Sequence, residues 1–506
     1  MAVDSKRIAK NTAVLYIRMI LLMAMALYTS RLVLRALGVE DFGTYNVVGG
    51  IVAILGFLNS TMSTAASRFI AVALGEGDNE KMRQTFRSLF FVIIALLILV
   101  LLASETIGLW FLFEKMVIPD GRMNAAFWVY QFSVVTVLVT IIGVPFDAAI
   151  IANERMNAFA YISLFDGIAK LIIAIFIQYA SGDKLIFYAG CLMAVHIIDV
   201  CVRILYCKKR INGCEIKGRI DKYQVSHILK FVSWSAYGSF ATAGFTHGLN
   251  IVLNLFFGPV VNAARSISVQ VQSAVMIFTS NFQTAISPQL MMNTSQKEFG
   301  SAKKLFVSGS KLSFILLCML GIPVMAETHY ILNLWLGEVP DYSIVFCQIM
   351  IVISIWSCLD NPIRVVNQAE GNIRKFQLYE CTLLLLIVPI SYFALKLYLL
   401  PTIVFYVHLV VELFAQIVRL RIVLPKINMN FKEYIQGVYL RIAPVFFLPI
   451  LSYYIINSLF DYGLNRVFFN VSIIELLIVV LSFAICFNKQ EKELILSFLR
   501  NKIKKQ

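Results

Sequence analysis

Charge is scarce in this chain, and acidic charge is scarcer still. Only 14% of its 506 residues are Asp, Glu, Lys or Arg, with 29 acids against 44 bases. Soluble globular domains carry about a quarter charged residues. A chain that is 59% hydrophobic cannot hide so much apolar surface in a water-soluble core, so a soluble enzyme is excluded. Long polar segments are missing too. The longest loop on the less basic side is about fifteen residues, which leaves no extramembrane domain for separate chemistry. The nine cysteines fall in no CxxC or other metal-ligand spacing and read as small apolar packing residues. Neither a metal site nor a cofactor is expected, unless a coupling ion, Na+ or H+, counts as one.

What the chain has in abundance is apolar runs long enough to cross a bilayer, about 20 residues each. Fourteen can be marked, near 12–36, 44–68, 86–112, 126–147, 158–180, 185–207, 228–257, 262–288, 306–328, 343–362, 376–398, 401–422, 437–458 and 467–487. The fold class is therefore an all-α polytopic membrane protein of about 14 transmembrane helices. The first run follows "DSKRIAKN", contains Arg18, and ends on Arg31 and Arg35 without a small-residue cleavage pattern. It reads as a retained helix. The net charge of +15 does not point to nucleic acid, because most Lys and Arg fall on alternate loops that share one side. This positive-inside asymmetry places both termini in the cytoplasm. The tracts "RILYCKKRINGCEIKGRIDK" and "NKQEKELILSFLRNKIKKQ" then lie inside, against anionic lipid heads.

The helix order repeats. "SRLVLRALGVEDFGTYNVVGGIVAILGFLNSTMSTAAS" (30–67) aligns without gaps on "NIVLNLFFGPVVNAARSISVQVQSAVMIFTSNFQTAIS" (250–287), pairing Gly38 with Gly258, Ser60 with Ser280 and Ser67 with Ser287; downstream, Phe86 pairs with Phe306. "VPFDAAIIANERMNAF" (144–159) aligns on "NPIRVVNQAEGNIRKF" (361–376), and "VHIIDVCVRI" (195–204) on "VHLVVELFAQ" (407–416). Three pairs in one order imply a six-helix lobe over 1–215, a second over 222–425, and two appended helices with a basic tail over 426–506. Parallel repeats of this kind build transporters with the substrate site at the repeat interface.

One run is unlike the others. Steps of three and four from Arg265 reach Ser268, Gln272, Met276, Thr279, Gln283 and Ser287, and the adjacent stripe holds Ser266, Gln270, Ser273, Ser280 and Thr284. The opposite stripe, from Ile267 through Val271, Val275 and Phe278, is oily. Polar side chains at bilayer depth are costly against lipid, so the polar half faces helices or water. Interhelical hydrogen bonding is one account. Two full-length polar stripes exceed what packing requires, and a water-filled cavity is the better account.

By the repeat, helices 1, 2, 7 and 8 surround that cavity. Helix 7 adds His247, Asn250 and Asn254, and helix 1 adds Arg18, Arg31 and Arg35. Over 11–68 and 231–290 the only acids are Glu40 and Asp41, both assigned to a loop, while Arg18, Arg31, Arg35, Arg68 and Arg265 supply bases. The cavity is therefore cationic. Arginine suits phosphate because its planar fork stays charged and donates parallel hydrogen bonds. Helix-end arginines also snorkel to head groups, so the functional reading is strongest for Arg265. The substrate-binding set is Arg18, Arg31, Arg35, His247, Asn250, Asn254, Arg265, Gln272, Thr279 and Gln283.

The stretches "SRLVLRALGVEDFGTYNVVGGIV" and "NLFFGPVVNAARSISVQVQSAV", with fourteen spans in two lobes, closely resemble the bacterial polysaccharide flippases of the O-antigen (Wzx) type. Their superfamily also holds multidrug extruders and the lipid II flippase. The resemblance covers nearly the whole chain and rests on composition and spacing. It implies no enzyme. It implies alternating access in the bacterial inner membrane and export of an undecaprenyl-pyrophosphate-linked oligosaccharide for O-antigen or related lipopolysaccharide assembly, alongside other polysaccharide assembly proteins. A cation-coupled multidrug extruder of the same fold is the alternative.

Other charges lie within the spans. Asp147 and Arg364 are repeat mates of opposite sign at helix ends, which would let them close a cytoplasmic gate, or each would cap its own helix. Asp166 and Lys170, one turn apart, are either a mutually neutral pair or an ion-coupling pair. His196, Asp199 and Arg203 share one face, as do His408, Glu412, Gln416 and Arg419, and both faces read as structural polar packing.

Overall fold

The computed structural model describes residues 5–75, 79–153, 155–211, 213–215, 218, 221–370, 374–459, 463–488 and 491–493. Inside a bilayer every backbone N–H and C=O must bond within its own segment. The described residues accordingly form helices and no strand. Twelve helices among them are long and apolar enough to cross a membrane. The two other runs marked in the sequence are helical as well. One spans the end of Ser5–Leu55 and Phe57–Gly75, and the other is Pro259–Ser295, the polar helix.

The internal repeat is visible in the backbone. Ser5–Leu55 is broken at Gly38, with φ 78° and ψ 172°, and Lys222–Phe257 ends at Gly258, with φ 73° and ψ −168°. Positive φ costs a residue with a β-carbon but not glycine. The same break therefore stands at the two positions that the 220-residue alignment pairs. Close approach fixes a second glycine here: a β-carbon on Gly43 would stand 2.0 Å from the carbonyl oxygen of Pro259. The Phe86 and Phe306 pair of the alignment is equally legible. Both rings are fully buried, Phe86 edge-on to Phe146 at 5.2 Å and Phe306 tilted against Tyr434 at 5.4 Å.

The chain divides into two compact units, Met1–Ser266 with Val388–Pro401, and Ile267–Ile387 with Thr402–Gln506. The lobes expected from sequence divide instead at the connector after residue 215. The difference has a simple cause. Lys222–Phe257 packs along Ser5–Leu55, Phe57–Gly75 and Asn79–Ala103, and so belongs by its contacts to the first unit. In the second unit the C-terminal pair, Leu440–Leu459 and Leu464–Leu481, packs on Phe299–Ala326. Glu327, 1% exposed, ties that pair down by accepting from Arg466 at 3.2 Å and Asn470 at 2.5 Å.

Proline shapes one further element. The helix Ser343–Ser357 is interrupted before Asp360–Glu370, whose third residue is Pro362. Proline has no N–H to give the carbonyl four residues earlier, which is that of Cys358. Gln283 Nε2 donates to this oxygen at 2.6 Å instead. An orphaned carbonyl in a membrane segment costs several kcal/mol, about what drives such a repair.

Candidate functional site

The reversal at Gly258 brings Arg265 back beside the preceding helix. Its Nη2 donates to the carbonyl oxygen of Thr246 at 2.9 Å, and its Nη1 donates to Oδ1 of Asn250, which lies against Gly50. Arg265 is only 4% exposed. His247, next to Thr246 in the chain, is half-buried. The hairpin therefore gathers Thr246, His247, Asn250 and Arg265 at one point of the first unit. Asn254 has a different job from the cavity role expected of it. It is fully buried, its Oδ1 accepts from Val117 N at 3.0 Å, and its Nδ2 donates to Val117 O at 3.1 Å. Its amide completes the backbone pairing of a loop.

The acid at the head of the second helix is neutralised. Arg122 donates to Asp41 through Nε at 2.8 Å and Nη2 at 2.5 Å, and to Asp183 through Nη1 at 2.6 Å. Asp183 also caps the helix Lys184–Arg210 by accepting from the amides of Leu185 and Ile186. Burial pushes the Asp183 carboxyl upward, but the Arg122 hydrogen bond and the two amides outweigh it and hold the group below its ordinary value.

On Pro259–Ser295 the exposed and buried stripes differ from the sequence expectation. Thr279 is 0% and Gln283 6% exposed, so neither lines open space, and Gln283 is committed to Cys358. Gln272 is half-buried. The open face carries Ser273, Ser280 and Thr284, whose hydroxyls donate back to the carbonyls of Val269, Ile277 and Ser280. Such back-bonding lowers the cost of exposing a hydroxyl to an apolar surrounding and leaves its lone pairs outward. On the other stripe Val271 and Val275 are buried, whereas Phe278 is 40% exposed.

The remaining arginines scatter. Arg35 is exposed and Arg31 half-buried, while the side chain of Arg18 lies outside the described residues. Arg68 places its guanidinium 4.7 Å from the centre of the Phe231 ring, a cation–π contact between Phe57–Gly75 and Lys222–Phe257. Asp166 accepts from Lys170 at 2.8 Å on its own helix.

Two guanidinium clamps were only half legible. In the first unit Arg203 bonds Asp147 and, at 2.5 Å, Asp199. In the second, Arg419 is 1% exposed and its Nη1 meets Asp360 at 2.7 Å and Glu412 at 2.6 Å, while its Nε donates to Glu380 at 3.1 Å. Arg364 donates to the same Glu380 at 2.6 Å. Asp147 and Arg364, the expected gate residues, thus each hold a partner within their own unit. Asp360 and Glu380 escaped the sequence reading; an acid inside or beside an apolar run is the signal that marks them.

No protein-family model matches the chain, and no curated protein resembles it in sequence. Solved structures do resemble it in fold. An inward-facing multidrug resistance MATE family transporter of the MOP superfamily superposes with a TM-score of 0.69 at 13% identity, covering 80% of this chain and 94% of that one. The lipid II flippase MurJ in an inward closed conformation gives 0.66 at 15% identity, covering 93% and 98%. A MOP superfamily transporter from Pyrococcus furiosus, described as having a binding pocket of reversed polarity, gives 0.58 at 14%, covering 81% and 94%. At these identities the likeness is one of fold. The chain has the fold of MOP-type membrane transporters.

Proposed function

We propose that the chain is an alternating-access flippase that moves a pyrophosphate-linked, lipid-anchored oligosaccharide from the cytoplasmic to the outer face of a bacterial inner membrane, in the manner of O-antigen unit export. The observation that carries this reading is Arg265. A guanidinium stands in a hairpin whose sequence has no acid, between Asn250 and the Thr246 carbonyl. Both of these partners are neutral oxygens, and the planar guanidinium fork they orient suits a phosphate. The hairpin closes over Arg265 in this conformation, and alternating access is what would bring it to substrate. The greater share of the chain that superposes on a lipid II flippase, compared with a MATE transporter, supports a lipid-linked cargo.

A cation-coupled multidrug extruder is the second reading, favoured by the higher TM-score of the MATE neighbour. Against it, an organic-cation pocket calls for carboxylates, and Asp41 is already engaged by Arg122. The test is Arg265→Ala. It should abolish surface polysaccharide at unchanged membrane abundance and leave lipid-linked oligosaccharide on the inner leaflet, with Arg265→Lys restoring export only in part. Normal polysaccharide in the alanine variant removes Arg265 from the mechanism.

A further inference from the structure

Beside the Gln283–Cys358 bond the second unit keeps a narrow cleft, between the C-terminal half of Pro259–Ser295, Phe299–Ala326 and the start of Asp360–Glu370. Its floor, Leu290, Gly309 and Ser313, is buried, and its rim, Ile286, Ser287 and Asn361, is half-buried. The cleft holds about 240 Å³ of space, partly open to the surroundings, with room wholly inside for about one water-sized group. Ser313 is 0% exposed, yet its hydroxyl has no hydrogen-bond partner. A buried hydroxyl left in that state costs stability, and alanine would relieve the cost. No charged side chain lines the cleft among the described residues, so an ion would find no counter-charge there.

We infer that this cleft takes the hydroxymethyl arm of a neutral sugar in the cargo, an inference that rests on the oligosaccharide reading above. A sugar hydroxyl both donates and accepts, which is what the Ser313 hydroxyl lacks. The rim offers the complementary groups. Ser287 Oγ gives its own hydrogen to the Gln283 carbonyl at 2.7 Å and so remains an acceptor, while the Asn361 amide can donate or accept. The carbon of the arm lies against Ile286 and Leu290, an apolar contact that a lone water cannot use. A sugar ring is too wide for the interior and stays at the mouth, so only the arm enters. Arg265 belongs to the first unit and Ser313 to the second. Phosphate and sugar are thus recognised by separate parts of the chain.

The experiment is saturation-transfer NMR on the purified full chain in lipid nanodiscs, with the methyl glycosides of glucose, galactose and mannose as probes. At least one should be saturated most strongly at its C6 protons, its 6-deoxy analogue should not bind, and inorganic phosphate should not compete. Two variants keep the fold and remove the site. Ser313→Ala deletes the unpartnered hydroxyl, and Gly309→Ala adds to the floor a methyl that meets Ile286 at an ordinary 3.8 Å. Ser313→Ala should weaken the glycoside on the order of tenfold, and Gly309→Ala should weaken it by filling the floor. Ser313→Ala should also melt no lower than wild type; a lower melting point would mean that the hydroxyl already serves the fold, and overturns the inference. So does the absence of C6 saturation with every probe, equal binding of the 6-deoxy glycosides, competition by phosphate, or wild-type binding in both variants. Normal export in Arg265→Ala would sink the pyrophosphate reading and leave this signal in place, whereas Arg265-dependent export without C6 saturation would sink the cleft alone.

Discussion

Removing Arg419 should be the most damaging single change within the second unit. Its guanidinium is the hub for three carboxylates, those of Asp360, Glu412 and Glu380, at 2.7, 2.6 and 3.1 Å. Glu380 also meets Arg364, which is itself 48% exposed. In Arg419→Met the apolar volume is roughly kept, but Asp360 and Glu412 are left as adjacent buried carboxylates. Breaking a buried pair while leaving its partner in place costs about 3–5 kcal/mol. Three partners do not triple this, because the carboxylates escape part of the penalty by taking up protons. SDS titration of the purified protein, followed by circular dichroism, should show the corresponding fall in midpoint. Arg421→Met, an exposed arginine on the same helix, should move it little. The decisive comparison is Arg419→Met together with Asp360→Asn and Glu412→Gln, which removes the orphaned charges and should recover about half or more of the loss. If Arg419→Met matches Arg421→Met, or if neutralising the acids recovers nothing, the clamp does not work through charge.

Three further expectations follow from the geometry. Single cysteines at Ser273, Ser280 and Thr284, in a background without other cysteines, should react with a small membrane-impermeant thiol reagent faster than cysteines at Thr279 and Gln283; equal rates would mean that the open stripe is not reached by water. Asp183→Asn should lower stability near neutral pH, and because the folded carboxyl is held below its ordinary value, the difference from wild type should vanish as pH falls through that depressed value. A difference that grows with acid would refute the cap and the Arg122 bond as its source. Asp147→Arg and Arg364→Asp should each impair export. A gate that exchanges partners during transport requires the double swap to recover activity, whereas clamps confined to each unit leave the double variant no better than the worse single one.

Spans, repeat and polar helix could all be read before any coordinates, because hydropathy and a 220-residue self-alignment report burial and duplication directly. Gly38 and Gly258 are the clearest case: one dihedral requirement, met twice by the same residue. Periodicity was less informative about what each face meets. It groups Thr279 and Gln283 on one stripe, but a helix wheel cannot say which edge of that stripe is packed, and both are buried. Asn254 failed for a related reason, since its partner Val117 is 137 residues away.

The repair at Pro362 also has a mechanical side. A continuous helix resists bending through its own ladder, one hydrogen bond per residue. Here one rung is supplied by another helix, through Gln283, so the flexure of 343–370 is indexed to the position of 267–295. Losing that rung would orphan a carbonyl inside the span, so the joint favours one angle, and glutamine's two freely turning methylenes give it travel that a backbone amide lacks.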